Sequence, residues 1–242
     1  MNILSIQSWV AYGHVGNTSA AFPLQRLGAE VWTINTVQFS NHTGYDSFKG
    51  RAFEPDLIRD IVNGIEQRGV LGACDGVLSG YLGTVGTGEA ILDAVATVKR
   101  ANPAARFACD PVIGDTGRGV FVGDGIPEFI KTRAVPAADV VTPSQFELDY
   151  LTGRTTRTLV DVAAAIEALR AMGPRVVFVT SVRAAETPDD CLDLIAADDE
   201  GAEHLRLPLL PILPSGAGDA IAGLFLAHYL RSGSVAEALS LS

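Results

Sequence analysis

Short apolar runs rich in β-branched residues recur along the chain: NILSI from Asn2, VWTINTV from Val31, GVLSG from Gly76, RFACD from Arg106, DVVT from Asp139 and RVVFVT from Arg175. Between them apolar positions return at helical spacing, which predicts helices near residues 16–28, 55–68, 87–100, 144–152, 158–172 and 217–231. Continuous apolar strands alternating with helices predict an α/β fold in which a mostly parallel central sheet is flanked by helices on both faces, a three-layer α/β/α arrangement. No repeat or low-complexity linker interrupts the pattern, so residues 1–242 read as a single domain. Near the end, Gly233 stops a helix. Ser234 with Glu237 then forms a capping-box signature for a last helix of barely two turns.

In open parallel sheets ligands bind beyond the carboxyl ends of the strands. The residues there are Gln7 and Ser8, Gln38 to Tyr45, Gly80 and Tyr81, Asp110 and Pro111, Thr142 to Glu147, and Thr180 and Ser181. They bring hydroxyls, amides and acids to one sheet edge. QFSNHTGY, residues 38–45, suits a flat polar ring better than a sugar or a bare anion. His42 in that stretch reads as a structural hydrogen bonder. PSGAGDAIAG, from Pro214, has two readings. Gly216, Ala217 and Gly218 can expose the N–H groups of a helix start to an anion, or Ser215 or Asp219 merely caps that helix. GDTGRGVFVGDG, residues 114–125, is a mobile lid or a plain surface loop, and Arg118 is its one cation able to reach a phosphate. Asp110 and Glu147 follow successive strands and are placed to hold Mg²⁺ directly or through water.

Composition narrows the partners. Eighteen basic residues against 28 acidic ones give a formal net charge of −10, which offers no general attraction to nucleic acid or anionic membranes. No apolar run approaches membrane-spanning length. Cys74, Cys109 and Cys191 are odd in number and widely spaced, which fits reduced buried thiols and a cytoplasmic protein.

Taken in order, LSIQSWVAYGHVGN, NTVQFSNHTGY, LSGYLG, CDPVIGD, TPSQFE, VTS and SGAGD resemble the pyridoxal kinase family of the ribokinase-like superfamily across essentially the entire chain. SGAGD carries the superfamily likeness, and NTVQFSNHTGY the vitamin B6 branch. The resemblance implies a ribokinase-like fold and ATP-dependent phosphorylation of the 5′-hydroxymethyl group of pyridoxal, with pyridoxine and pyridoxamine as further acceptors. It implies Asp219 as catalytic base and an anion hole at Gly216, Ala217 and Gly218. Ser8, Val15, Phe39, Thr43 and Tyr81 would receive the pyridine ring. Asp110, Ser144, Thr180 and Ser181 would lie at ATP, with Asp110 and Glu147 at the metal, and the lid would be the segment of Asp115, Gly117, Arg118 and Gly119.

Mg²⁺ arrives with ATP in this scheme, a monovalent cation stays open, and a homodimer is expected. The chain departs from the family at Ser144, where an amide side chain is usual, and its C-terminal end is expected to be shortened relative to the family. A helix N-terminus should favour ionised Asp219 and weaken it as a base. A loose transition state, in which the alcohol gives up its proton late, relieves that conflict. Hydroxymethylpyrimidine kinase and a non-catalytic B6-binding protein are the rival readings. A dinucleotide-dependent oxidoreductase is disfavoured because GHVGN lacks the G-x-G-x-x-G spacing.

Overall fold

The computed structural model describes residues 1–212 and 215–242. Its main sheet has nine strands. In chain order these are β1 (Asn2–Val10), β2 (Glu30–Phe39), β3 (Gly50–Ala52), β4 (Gly76–Ser79) and β5 (Arg106–Cys109), then β8 (Val140–Val141), β9 (Val176–Val182), β10 (Cys191–Asp198) and β11 (Gly201–Pro208). A separate two-stranded hairpin, β6 (Gly114–Asp115) with β7 (Gly119–Val120), lies between β5 and β8 in sequence. Across the sheet the order is β11-β10-β9-β8-β5-β4-β1-β2-β3. All pairings from β2 to β9 are parallel, whereas β3, β10 and β11 join antiparallel at the two edges.

The central strands are the apolar runs seen in the sequence, and alternation splits their side chains between two cores. Ile3, Leu78, Ala108 and Phe178 pack under α1 (Asn17–Arg26), α8 (Ala217–Ser232) and α9 (Val235–Leu241). Phe178 stacks on Phe225 of α8 with ring centroids 4.4 Å apart. Leu4, Ile6, Val77 and Phe107 face the other way, against α2 (Pro55–Gln67), α3 (Val85–Ala101), α6 (Gln145–Thr152) and α7 (Leu159–Arg170). On this second face α4 (Ile126–Phe129), a wider π-type turn (Ile130–Ala134) and α5 (Val135–Ala137) run on from one another.

The expected helices all form, with ends displaced by at most two residues, as fraying ends allow. The stretch from Ile126 to Ala137 and the edge strands β3, β10 and β11 had no counterpart in the sequence reading. β11 has a mostly exposed side-chain pattern, so its pairing with β10 decides its state. Cys74 and Cys109 are buried thiols, but Cys191 is partly exposed at the edge, contrary to expectation. At α9 half of the expected capping box forms: the Glu237 N–H donates to Ser234 Oγ at 3.3 Å. Val235, Ala238 and Leu239 are buried, which anchors a helix too short to persist alone.

Candidate active site

A cleft of about 590 Å³ opens at the carboxyl ends of the parallel strands. Ser8 lies on its wall at a slip in strand register, between Gln7 opposite Asn35 and Trp9 opposite Gln38. Such irregularities redirect side chains next to sites. Beneath it runs a buried polar chain. Gln7 Nε2 donates to Ser5 Oγ at 2.9 Å, Ser5 Oγ donates to Asn17 Oδ1 at 2.7 Å, and Asn17 Nδ2 donates to Ile34 O and Asn35 Oδ1 at 3.0 Å each. These bonds tie the start of α1 to β1 and β2 and so fix the turn at Gly16.

That turn interlocks with the start of α8. Gly16 has φ 55°, and a Cβ there would stand 2.3 Å from Ser8 O. Gly216 has φ 86°, and its Cβ would stand 2.0 Å from His14 O. Only glycine fits at either point. Ser19 Oγ donates to Gly216 O at 2.7 Å, locking the two turns together. Gly216 is the N-cap residue of α8 and no side-chain hydrogen bond caps this helix, so the simple capping role open to Ser215 or Asp219 is not what is found. Its first N–H groups remain available to an anion. Pro214, at the start of the glycine-rich stretch, lies outside the described residues.

Asp219 sits in the first turn of α8, on the cleft wall. Burial raises its pKa to about 6, with the Glu147 charge adding to the rise and the backbone amides of Gly16 and of Asp219 itself opposing it. The expectation that the helix end would favour the ionised form and weaken the base is not met: burial moves the pKa upward. Asp110, only 9% exposed, is held well above the ordinary carboxylate range by burial and then by the charges of Glu147 and Asp219. Thr142 Oγ1 donates to it at 3.3 Å.

Ser144, on the cleft wall, also has a structural task. It N-caps α6 in a full capping box: Glu147 N–H donates to Ser144 Oγ at 3.3 Å, while Ser144 N and Oγ donate to Glu147 Oε2 at 2.8 and 3.0 Å. Glu147 Oε1 accepts from Ile113 N at 2.7 Å and Gly114 N at 3.5 Å. Burial raises the Glu147 pKa against the pull of these bonds. Thr180 joins Ser144 through a short parallel bridge, with Thr180 N donating to Pro143 O at 2.9 Å. Ser181 (φ 56°) and Val112 (φ 29°) both line the cleft in backbone conformations that non-glycine residues rarely adopt. Strain of this kind concentrates at functional sites.

The segment expected to act as a lid forms the β6–β7 hairpin. Asp115 Oδ1 accepts from Gly117 N at 3.0 Å and Arg118 N at 2.8 Å, and Arg118 Nη2 lies 2.7 Å from Asp115 Oδ2. The Arg118 guanidinium also lies over the Phe121 ring, 4.4 Å from its centroid. It reaches across to the other wall: a Cβ on Gly44 would stand 3.1 Å from Arg118 Nη1 and 2.9 Å from His42 Nδ1. His42 Nδ1 lies 3.5 Å from Ser215 Oγ. Burial and the Arg118 charge lower the His42 pKa, which keeps the imidazole neutral at pH 7.

Residues 70–242 match the phosphomethylpyrimidine kinase family model. Pyridoxal kinase PdxY of Granulibacter bethesdensis is 58% identical over 243 residues, covering 99% of this chain and 85% of that protein. Its namesake in Deinococcus radiodurans is 55% identical, covering 100% of this chain and 83% of that protein. The chain belongs to the pyridoxal kinase family. Among solved structures, the pyridoxal kinase of Leishmania donovani in complex with ADP and pyridoxamine superposes with a TM-score of 0.88 at 31% identity, covering 96% of this chain and 82% of that one.

Ser8, Val15, Phe39, Thr43 and Tyr81 line the cleft together with His42. Asp110, Ser144, Glu147, Thr180 and Ser181 line it with Gly216, Gly218 and Asp219, and Asp115, Gly117 and Arg118 come from the hairpin. Ala217 and Gly119 are not among the lining residues. Val10, Val112, Gly114, Phe121 and Thr142 line the cleft without having been singled out as site residues. Position just beyond a strand end was the signal available for Thr142. Nothing local marks Val112, whose place depends on its backbone angle. Among the described residues no helix is long and apolar enough to cross a membrane.

Proposed function

We propose that this chain, acting as one kinase domain, transfers the γ-phosphoryl group of ATP to the 5′-hydroxymethyl group of pyridoxal, accepting pyridoxine and pyridoxamine as well. The observation that carries the reading is Asp219: a carboxylate on the cleft wall, in the first turn of a helix whose start no side chain caps, with burial raising its pKa to about 6. A group that is ionised at neutral pH yet basic enough to accept a proton suits an alcohol under phosphoryl transfer. Ser8, Thr43 and Tyr81 present hydroxyls, and Val15 and Phe39 apolar surface, to a flat polar ring at the vitamin end. The N–H groups of α8 face the developing charge on the phosphoryl oxygens. Asp219 orients the alcohol, then receives its proton as the bond to phosphorus forms.

Buried acids in mutual repulsion, with oxygen as the only donor atom, fit a hard divalent cation. Asp110 would hold Mg²⁺ brought with ATP, and Glu147 would act on it through water, its own oxygens being engaged. Mg²⁺ supplies positive charge against the phosphate oxygens. Ser144, Thr180 and Ser181 complete the nucleotide side, and the β6–β7 hairpin, with Arg118, excludes water during transfer. The reading extends to a homodimer in the cytoplasm, and the buried thiols Cys74 and Cys109 fit a reducing compartment.

A coupled assay of ADP release with pyridoxal, pyridoxine, pyridoxamine and hydroxymethylpyrimidine tests this. Pyridoxal is expected to give the highest kcat/KM. The phosphomethylpyrimidine kinase family match keeps the pyrimidine alcohol as the competing substrate, and faster turnover with it would overturn the assignment. Pyridoxal binding with no ATP consumption would make the protein a B6-binding module instead.

A further inference from the structure

Glu147 joins two segments of the cleft wall. Its Oε1 takes the N–H groups of Ile113 and Gly114, at the root of the β6–β7 hairpin, at 2.7 and 3.5 Å. Its Oε2 takes the N–H and hydroxyl of Ser144, at the start of α6, at 2.8 and 3.0 Å. A carboxylate offers about four acceptor positions, and three are taken by close donors of the protein, with Gly114 N more distant at 3.5 Å. Bonds from N–H groups to a charged acceptor are the strong ones, and the Ile113 contact is buried.

The connection being held is short and strained. Between Asp110 and Gly114 stand only Pro111, Val112 and Ile113. Val112 is β-branched yet has φ 29°, and Ile113 is fully buried. A Cβ on Gly114 would stand 2.3 Å from Gly119 O and 2.6 Å from the Phe146 ring, so the hairpin root is pressed onto α6. Released from Glu147, Val112 would relax toward ordinary angles, and both Asp110 and the hairpin would turn with it.

We propose that Glu147 is a positioning residue that clamps the hairpin root to the start of α6, holds the Val112 turn in its strained form, and thereby sets where Asp110 and the lid stand over the cleft. The clamp operates before any nucleotide or metal arrives. Its effect on turnover rests on the phosphoryl-transfer reading; the clamp itself does not.

Amide hydrogen exchange followed by NMR on the substrate-free protein in EDTA tests it, using wild type, Glu147→Gln and Glu147→Asp. Gln keeps the length and loses the charge and one acceptor. Asp keeps the charge and loses the reach. Both variants should speed exchange at Ile113 and Gly114 by about tenfold or more while leaving the core-strand amides of Phe107 and Val177 unchanged. In the full reaction kcat should fall about tenfold with KM for pyridoxal within about twofold, the split expected when an aligned site is loosened rather than a substrate contact removed. Unchanged exchange at Ile113 and Gly114 in both variants would overturn the clamp and leave Glu147 as a metal-side acid. Faster exchange spread equally over Phe107 and Val177 would overturn it in favour of a general stability role. Local loss of protection in a protein that phosphorylates no B6 alcohol would keep the clamp and remove the proposed function.

Discussion

The backbone amide of Gly16 acts on the carboxyl of Asp219, drawing its pKa down against burial, and so links the turn after the first strand to the first turn of the last long helix. The two residues are far apart in sequence, and their meeting makes the site. Gly16 is fixed by Asn17, which is bonded to β1 and β2, and Asp219 is fixed by the glycine turn at Gly216. The proposed base is thus positioned by the main sheet.

Replacing Asp219 with Asn keeps shape and hydrogen bonding but removes the proton acceptor. Turnover should fall by roughly two to four orders of magnitude with much less change in pyridoxal binding, measured by steady-state kinetics and equilibrium titration. Near-normal turnover would exclude Asp219 from the mechanism.

The same carboxylate predicts two opposite pH effects. Wild-type kcat/KM should rise about tenfold per pH unit below its folded pKa of about 6 and level off above it, because the base must be ionised. Stability runs the other way. The folded pKa is raised above the ordinary value of 3.8, so the stabilising contribution is complete below that value and is lost as pH rises through about 6. Asp219→Asn should therefore be more stable than wild type by about 1–3 kcal/mol at pH 7 to 8, with the difference vanishing at low pH. Denaturant melts across that range provide the check, and a less stable variant at pH 8 would refute the burial argument.

Thr43 lines the cleft beside His42, and among the described residues its hydroxyl has no protein partner. Thr43→Ala should weaken pyridoxal by about 0.5–1.5 kcal/mol and leave ATP affinity nearly unchanged. Calorimetric titration of each ligand separates this from a structural role, which would weaken both equally.

Ser144 caps α6, so Ser144→Ala should cost about 0.5–2 kcal/mol of stability. Ser144→Asn, which restores the family's amide and is itself a good cap, should stay within a few tenths of a kcal/mol of wild type and preserve or improve apparent Mg-ATP affinity. Loss of nucleotide binding in a folded Asn variant would mean that this pocket has been rebuilt around serine.

Gly16→Ala would drive a Cβ to 2.3 Å from Ser8 O in a left-handed conformation. The turn has to open, and the Gly16 amide shifts relative to Asp219 with it. Activity should drop by at least about tenfold even where the melting temperature shows the protein to be folded. Full activity would show that the tight Gly16 turn is dispensable.

Much of this protein is decided locally. The central strands are apolar and β-branched enough to be legible one by one, and their alternation with helical spacing is sufficient for the parallel sheet, because a buried parallel strand must be apolar on both faces. The site's location follows from that topology, since polar residues after strand ends share one edge whatever their distance in sequence. Other features arise only when segments meet. The mostly exposed β11 is a strand because β10 offers its backbone a partner. Glu147 looks like a free acid in TPSQFE, yet the packing of α6 against the hairpin root fills its oxygens with N–H and hydroxyl donors. The Asp219 pKa follows the same logic. A local view sees a helix end that favours the charge, whereas desolvation, a property of everything packed around the carboxyl, raises the pKa to about 6.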